Sequence, residues 1–155
     1  MPTAWRIVKR KYARDAFIGE GSRIYGGRWN NPGTPLVYTS ESQSLAALEL
    51  LVHLESADLL FYYVAYEITF DTALVANLDS ALSKGWDADP IPSKDRALGD
   101  SWARAGRSAI LRVPSTLIHS EHNYILNPRH PKFAKIRIGK QAPFRVHPRL
   151  LHKLK

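Results

Sequence analysis

The sequence predicts an α+β domain in which several strands form a sheet flanked by few helices. Three observations indicate this class: short runs rich in β-branched and aromatic residues, two runs of helical pattern, and no regular alternation between the two. The 155 residues contain no cysteine and are enough to bury a core without disulfides. No repeat, low-complexity tract or long linker divides the sequence, so a single domain is expected over residues 1–155.

The first third of the chain is predicted to form two strands and one helix. Residues 5–8 are a short strand candidate, and the glycine-rich residues 9–33 are expected to be mostly irregular. Residues 35–39 predict a buried strand. Residues 40–43 then match a capping box, so a helix is expected to begin there and to end near residue 53 or 55.

The remainder is predicted to contain a further helix and four strands. Residues 61–70 give the clearest strand because alternate positions make one continuous apolar face. That face consists of Tyr62, Val64, Tyr66, Ile68 and Phe70. Residues 85–92 predict a loop, and the helix after it is expected to be capped by Ser93 with Asp95 in its first turn. The other predicted segments are the helix 93–105, the strands 109–113, 133–138 and 144–146, and a polar loop over 114–131.

The formal net charge of +8 favours an anionic partner, which is a nucleic acid, a phosphorylated small molecule or an acidic protein. Apolar residues make up 45% of the chain and charged residues 23%, which is typical of a soluble globular protein. The first residues lack the apolar core of a signal peptide, and no run is long enough to span a bilayer. A cytoplasmic protein without membrane contact is therefore expected.

A glycine-rich loop over residues 25–33 places Arg28 between Tyr25 and Trp29. Glycines allow close approach of the backbone to a ligand, and a guanidinium matches a pyrophosphate or a carboxylate bidentately. The loop is neither a P-loop nor a dinucleotide fingerprint, since no GK[ST] sequence follows and no strand-turn-helix unit frames the glycines. The alternative interpretation is a surface arginine in a turn.

Glu49 is the most informative single position, because most of its neighbours one helical turn away are apolar. An unpaired buried carboxylate is costly, so such a position needs a partner or a cleft. Burial would raise the pKa of this carboxyl, whereas a nearby Arg28 would lower it. The alternative interpretation is a glutamate on the exposed side of the helix.

Three further kinds of residue are candidates for a site. Tyr38 either stacks on a ring of the substrate or belongs to the core. Ser115 follows a proline that ends strand pairing, so its hydroxyl is expected at a sheet edge or cleft mouth. No Gly-x-Ser-x-Gly sequence surrounds it, which argues against a serine hydrolase.

The histidines lack the spacing of metal motifs, so no metal site is expected. Asn123, Asn127 and His130 are expected to order a loop through side-chain hydrogen bonds.

Taken together, these segments resemble the RES-domain toxins, a family named for an arginine, a glutamate and a serine. The most specific matches are Gly-Gly-Arg-Trp-Asn at 26–30 and Asn-x-x-x-Asn-Pro-x-His-Pro at 123–131. Trp5-Arg6 and residues 32–35, 37–40, 46–49 and 113–115 complete the set. The matching segments occur in the family's order over nearly the whole chain, as a single RES domain.

The resemblance implies a fold similar to ADP-ribosyltransferases, with a mixed or antiparallel split β-sheet core. It implies the toxin of a bacterial type II toxin–antitoxin pair, with NAD as its substrate. Members of the family cleave the nicotinamide–ribose bond by hydrolysis or phosphorolysis, which depletes NAD and arrests growth, or transfer ADP-ribose to a protein. The resemblance also implies an antitoxin of the Xre or helix-turn-helix type that blocks the active site, and it is compatible with a homodimer.

By the same resemblance, Arg28, Glu49 and Ser115 are the catalytic arginine, glutamate and serine. Tyr38, Trp29 and Asn123 are expected beside the NAD together with Arg28. Cleavage of the nicotinamide–ribose bond develops an oxocarbenium-like ribose, and a carboxylate facing that charge stabilises the transition state. Glu49 is the candidate for this role.

Two alternative functions remain. A mono-ADP-ribosyltransferase would use the same NAD pocket but would also dock a protein target. A non-catalytic basic module for nucleic acids is favoured by the net charge and by the aromatics Trp5, Tyr12, Tyr25 and Trp29. The absence of RNP, KH and helix-turn-helix patterns argues against direct nucleic-acid binding, and a buried acid would have no role there.

Overall fold

The structure, a computed structural model, describes residues 1–53, 62–147 and 149. Its strands are β1 (Thr3–Lys9), β2 (Val37–Ser40), β3 (Tyr63–Thr69), β4 (Val75–Asn77), β5 (Ile110–Pro114), β6 (His122–Leu126), β7 (Arg137–Ile138) and β8 (Ala142–Pro143). Its α-helices are α1 (Glu20–Tyr25), α2 (Gln43–Leu51) and α3 (Ser93–Ala105). Short 3-10 turns cover Arg10–Asp15, Thr72–Leu74, Asp79–Ala81 and Phe133–Lys135. No helix in these described ranges is both long and apolar enough to cross a bilayer.

The strands form one mixed sheet in the order β4-β5-β6-β2-β1-β3-β7, with β8 also paired to β3. Only the pairing of β4 with β5 is parallel among the described strands, and the others are antiparallel. The predicted α+β class with a mixed sheet is therefore confirmed. In this register Asn123 of β6 lies opposite both Ser40 of β2 and Val113 of β5.

Strand β6 corrects the sequence-based prediction, which assigned residues 122–126 to a polar loop. Its first two residues, His122 and Asn123, are polar and lack the pattern of a strand. Tyr124, Ile125 and Leu126 are buried between β2 and β5, so pairing on both edges determines this segment. The missed strand lies near the middle of the sheet and carries a residue of the candidate site.

Three other segments also differ from the prediction. Residues 20–25 form a helix where irregular structure was expected, because Gly19 and Gly26 lie at its two ends with φ of 75° and do not interrupt it. The predicted strand 133–138 is a 3-10 turn followed by the two-residue β7. The predicted strand 144–146 is not a strand, and β8 lies just before it.

The ends of α2 and α3 also correct the predicted caps. The N-cap of α2 is Ser42, whose Oγ accepts a hydrogen bond from the N–H of Leu45 at 3.0 Å, so the helix begins later than the predicted capping box. It ends at Leu51, and residue 55 lies outside the described residues. The predicted bounds of α3 are confirmed, but Ser93 is its first residue and its side chain caps nothing. Asp95 does lie in the first turn.

The clearest predicted strand is confirmed as β3, although residue 61 lies outside the described residues. Val64, Tyr66, Ile68 and Phe70 are buried on the predicted face, whereas Tyr62 precedes the strand and is exposed. Residues of the opposite face are buried too, because α2 covers that side of the sheet near β1 and β3. The strand therefore contributes to core on both faces.

Helix α3 packs on the sheet through a cluster that includes Trp29, Val113 and Ile125. The helix backbone approaches the glycine-rich loop closely at Gly99, where a Cβ would lie 1.6 Å from the carbonyl oxygen of Trp29. The helix backbone therefore rests directly on the loop that carries Arg28. This contact determines where the loop lies relative to the sheet.

Candidate active site

A cavity of about 920 Å³ opens beside β2, α2 and the glycine-rich loop. The predicted site residues Arg28, Trp29, Tyr38, Glu49 and Asn123 all line it. The sixth, Ser115, is fully buried and contacts Glu49 from behind the wall. The fold therefore brings together all six residues, which are dispersed between positions 28 and 123.

The carboxylate of Glu49 is held by two donors on one oxygen. The Ser115 hydroxyl donates to Oε1 at 2.7 Å, and the Asn123 amide donates to the same atom at 2.9 Å. The Asn123 amide is itself oriented, because its Oδ1 accepts a hydrogen bond from the Ser40 hydroxyl at 2.7 Å. Among the described residues nothing donates to Oε2 of Glu49. The half-buried carboxylate thus has a fixed orientation and one oxygen without a donor.

Ser115 has a structural task in addition to its contact with Glu49. Its Oγ accepts hydrogen bonds from the N–H groups of Leu117 at 3.1 Å and Ile118 at 3.3 Å. Of the two predicted positions for this hydroxyl, a sheet edge or a cleft mouth, the cleft mouth is wrong, since Ser115 is 0% exposed. One oxygen therefore orders the turn after β5 and orients the acid.

Arg28 connects the loop 85–92 to the start of α3. Its Nη1 donates to the carbonyl of Trp86 at 3.0 Å and to Oδ2 of Asp95 at 3.2 Å, and its Nη2 donates to the carbonyl of Ala88 at 3.3 Å. The side chain of Asp95 is only 1% exposed, and that of Arg28 is 19% exposed. Burial raises the pKa of the Asp95 carboxyl, and the hydrogen bond and charge of Arg28 act in the opposite direction. Arg28 is therefore the group that compensates this buried carboxylate.

We expect Arg28→Ala to lower the free energy of unfolding by about 2–3 kcal/mol at pH 7, because it leaves the carboxylate of Asp95 buried without its partner. The folded-state pKa of Asp95 lies above the ordinary value of 3.8 and rises further in the variant. A raised pKa means that the native state gains stability as protons bind, so the deficit should shrink as the pH falls towards 4. Urea titrations of variant and wild type at pH 7 and pH 4 measure this, and an equal deficit at both values would contradict it.

The side chain of Tyr38 lies in the cavity wall and connects β2 to the glycine-rich loop. Its Oη accepts a hydrogen bond from the N–H of Trp29 at 3.0 Å and donates to Oδ1 of Asn30 at 2.6 Å. Burial raises the pKa of the Tyr38 phenol, so it remains a donor at neutral pH. A Cβ on Gly27 would lie 2.7 Å from this oxygen, so the close contact requires glycine there. The stacking role of Tyr38 stays a prediction.

The loop 85–92 closes one side of the cavity. Its Trp86 stacks on the buried Trp29 with ring centroids 6.2 Å apart. Asp87 and Asp89 line the cavity, and Asp87 also pairs with His119 at 3.2 Å. The sequence identified this segment as a loop but did not predict its part in the site, because its contacts with Arg28 join residues 58 and 60 positions apart.

Two further arginines of the cavity wall were not predicted as site residues. Arg6 donates from Nε to the carbonyl of Ala16 at 2.6 Å and from Nη1 to the carbonyl of Tyr38 at 2.9 Å. Arg96 donates from Nε to the carbonyl of Gly27 at 3.2 Å. Trp5-Arg6 belongs to the segments that resemble the RES-domain toxins, which was the available signal for Arg6. No local pattern pointed to Arg96.

The polar segment after β5 is ordered partly as predicted. Asn127 accepts a hydrogen bond from the N–H of Arg129, and His130 accepts one from the N–H of Lys132. Asn123 is different, since it lies in β6 and contacts Glu49 instead of ordering a loop. His122 contacts Arg112 and Asp79 away from the acid. In the described ranges no three His, Cys, Asp or Glu side chains cluster as ligands of a metal ion.

Comparison with known proteins identifies similar chains. The model of the RES domain family matches residues 3–147. The Prs ADP-ribosylating toxin of Sphingobium sp. (strain YBL2) is 37% identical over 155 residues, which cover 96% of each chain. Toxin Res of Photorhabdus laumondii is 37% identical over 150 residues, and the match covers 95% of this chain and 96% of that toxin. The NAD(+) phosphorylase MbcT of Mycobacterium tuberculosis is 32% identical over 95 residues, 58% of this chain and 50% of that protein.

The fold also matches a solved structure. A chain in the crystal structure of the M. tuberculosis MbcT–MbcA toxin–antitoxin complex superposes with a TM-score of 0.77. The match covers 99% of this chain and 88% of that chain, at 21% sequence identity. At this identity the likeness concerns the fold.

Proposed function

The chain belongs to the RES domain family, and from this premise we propose that it is a bacterial toxin that cleaves the nicotinamide–ribose bond of NAD. The observation that carries the proposal is the carboxylate of Glu49, held in the cavity wall by Ser115 and Asn123 with Oε2 left without a donor among the described residues. A fixed negative charge of this kind suits a reaction that develops positive charge on a sugar. Cleavage of NAD would deplete the cofactor and arrest growth.

The reaction breaks the bond between C1′ of the ribose and the ring nitrogen of nicotinamide. The bonding electrons pass to the ring nitrogen, which neutralises the pyridinium, so the leaving group needs no proton. The ribose becomes oxocarbenium-like, and Glu49 stabilises it electrostatically. A nucleophilic atom of the acceptor then bonds to C1′. Water loses a proton to the solvent in this step, whereas an unprotonated oxygen of phosphate has none to lose. The acceptor is water in hydrolysis, phosphate in phosphorolysis, or a protein side chain in ADP-ribosylation.

The other site residues support this step in different ways. Asn123 and the buried Ser115 act on Glu49, so they are positioning residues in this scheme. Tyr38 and Trp29 form the wall against which the rings of NAD would lie. Arg28 holds the loop 85–92 in place and adds positive charge, which Asp95 partly offsets.

The acceptor is tested by following nicotinamide release from NAD in buffers with and without phosphate. Release that depends on phosphate indicates a phosphorylase, and release in both buffers indicates a hydrolase. No release in either buffer, with labelled ADP-ribose transferred to a protein of a cell lysate, would support the second candidate, a mono-ADP-ribosyltransferase. The similarity to the Prs ADP-ribosylating toxin over 96% of the chain favours keeping that candidate. No reaction in any of these assays would contradict the proposal.

We also propose a cognate antitoxin of the Xre or helix-turn-helix type that covers the cavity in the cytoplasm. Exposed apolar side chains lie at the cavity wall, at Val52 and Leu117, and the net charge of +8 suits an acidic partner. The neighbouring gene product should inhibit nicotinamide release, and its failure to bind would count against this.

The family resemblance is also compatible with a homodimer, which light scattering tests. A nucleic-acid-binding module would give Glu49 no role, so it is not proposed.

Ser115→Ala is expected to lower kcat for nicotinamide release by about 10–100-fold, because Glu49 loses one of its two donors. The N–H groups of Leu117 and Ile118 also lose their acceptor, so a stability loss of about 1–2 kcal/mol should accompany it. Steady-state kinetics and urea unfolding measure the two effects. Ser120→Ala is the matched control, since Ser120 is exposed a few residues away. Equal kcat in both variants would remove Ser115 from the mechanism.

A further inference from the structure

We infer that Arg96, assisted by Arg6, binds the phosphate groups of the substrate, and that Arg28 has mainly a positioning role. This inference rests on the proposed function and names the group that recognises the anionic part of NAD. It differs from the expectation drawn from the sequence, in which Arg28 was the candidate to bind a pyrophosphate or a carboxylate. The guanidinium groups of the cavity differ in how many of their donors the protein already engages.

Arg28 has less capacity left for a ligand than Arg96, because hydrogen bonds to the protein occupy three of its five N–H donors. Both of its terminal nitrogens donate to the protein, to two loop carbonyls and to the carboxylate of Asp95. Asp95 offsets its charge at 3.2 Å. A phosphate that took over these bonds would leave a buried carboxylate without its partner and release the loop 85–92, which makes this replacement costly.

Arg96 is in the opposite situation. Its Nε donates to the carbonyl of Gly27, which anchors the plane of the guanidinium beside the glycine-rich loop. Its two terminal nitrogens donate to no described residue, and it forms no ion pair with a described carboxylate. The side chain is part-buried and lines the cavity. It therefore presents a free pair of donors in a geometry that matches a phosphate oxygen pair.

Arg6 supplies a second positive charge in the same wall. Burial lowers the pKa of its guanidinium to about 10, so it remains charged at neutral pH. Carbonyls of Ala16 and Tyr38 hold two of its nitrogens, and no described carboxylate pairs with it. A part-buried charge without a counter-ion is costly unless an anion binds beside it.

The two arginines approach Tyr38 from its two ends. Arg6 contacts the backbone carbonyl of Tyr38, and Arg96 contacts Gly27, which packs against the phenol oxygen. Two positive side chains therefore lie in the same cavity wall on either side of Tyr38. A pyrophosphate carries two adjacent negative groups, so this pair of charges suits it better than a single carboxylate.

The test measures binding of ADP-ribose, which retains the pyrophosphate and lacks the bond to be cleaved, by calorimetry. Arg96→Ala is expected to weaken binding about 10–100-fold and to raise KM for NAD by a similar factor, while kcat changes less than about threefold. Arg96→Lys should recover part of the affinity, because it restores the charge without the fork. Arg104→Ala is the matched control, since Arg104 is exposed on the same helix, and it should bind like wild type.

Unchanged ADP-ribose affinity in Arg96→Ala would overturn the inference. Thermal unfolding verifies that the variant is folded, which is expected because the side chain has one hydrogen bond to the described residues. The inference and the proposed function fail in different ways. Wild-type protein that binds ADP-ribose through Arg96 but never cleaves NAD would contradict only the proposed function. If the Arg96→Ala variant cleaves NAD with the same KM as wild type, only the assignment of the phosphate site to Arg96 would be contradicted.

Discussion

Glu49→Gln is expected to slow nicotinamide release from NAD by about 10²–10³-fold, the largest catalytic effect of any single change in this chain. Glutamine keeps the shape of the side chain and retains an oxygen that accepts from Ser115 and Asn123. It removes the negative charge that faces the ribose in the proposed transition state. The loss should therefore lie in kcat, with the free energy of unfolding nearly unchanged.

The matched control is Glu67→Gln, because Glu67 is exposed on β3 and does not line the cavity. Stopped assays of nicotinamide release compare the two variants with wild type under the same conditions. A folded Glu49→Gln protein that keeps more than about a tenth of the wild-type rate would contradict the electrostatic role of the carboxylate.

Gly99→Ala is expected to have the largest effect on stability, with a loss of about 3 kcal/mol or more. The new methyl group would lie 1.6 Å from the carbonyl oxygen of Trp29, and both partners are backbone, so no side chain can rotate to relieve the clash. Helix α3 would have to move away from the glycine-rich loop. Because Asp95 and Arg96 lie on that helix, substrate binding should weaken together with stability.

Urea unfolding and the soluble yield at 25 °C measure this effect. Gly21→Ala is the control, since Gly21 lies inside α1 and nothing is within 4 Å of the added methyl group. Alanine is a better helix former than glycine, so this variant should be as stable as wild type or slightly more so. If Gly99→Ala unfolds at the same midpoint as Gly21→Ala, α3 does not rest on Trp29 as described.

The parts of the fold that were predictable are those with a clear local pattern. Helix α3 and strands β3 and β5 were identified because their periodicity agrees with their final burial. Strand β6 was missed because its character depends on pairing with β2 and β5 on both edges. The strand predicted at residues 144–146 shows the reverse, since an apolar run alone does not create a pairing partner.

The site was predictable to a similar degree. The half-buried environment of Glu49 follows from its apolar helical neighbours, and the family resemblance added Ser115 and Asn123. The partner of Arg28 was not predictable, because Asp95 lies 67 positions away and its identity depends on how α3 docks. Arg96 was missed for the same reason. Gly99, which allows that docking, carries no sequence signal for the contact it makes.

The donors that hold Glu49 are separated from it by 66 and 74 positions along the chain. A chain that has been synthesised only as far as Pro114 contains the arginine loop and the acid, but neither donor. Strand β2 also remains without its β6 neighbour until residues 122–126 have left the ribosome. The carboxylate is therefore oriented only late in synthesis, so under the proposed function an incomplete translation product should not cleave NAD.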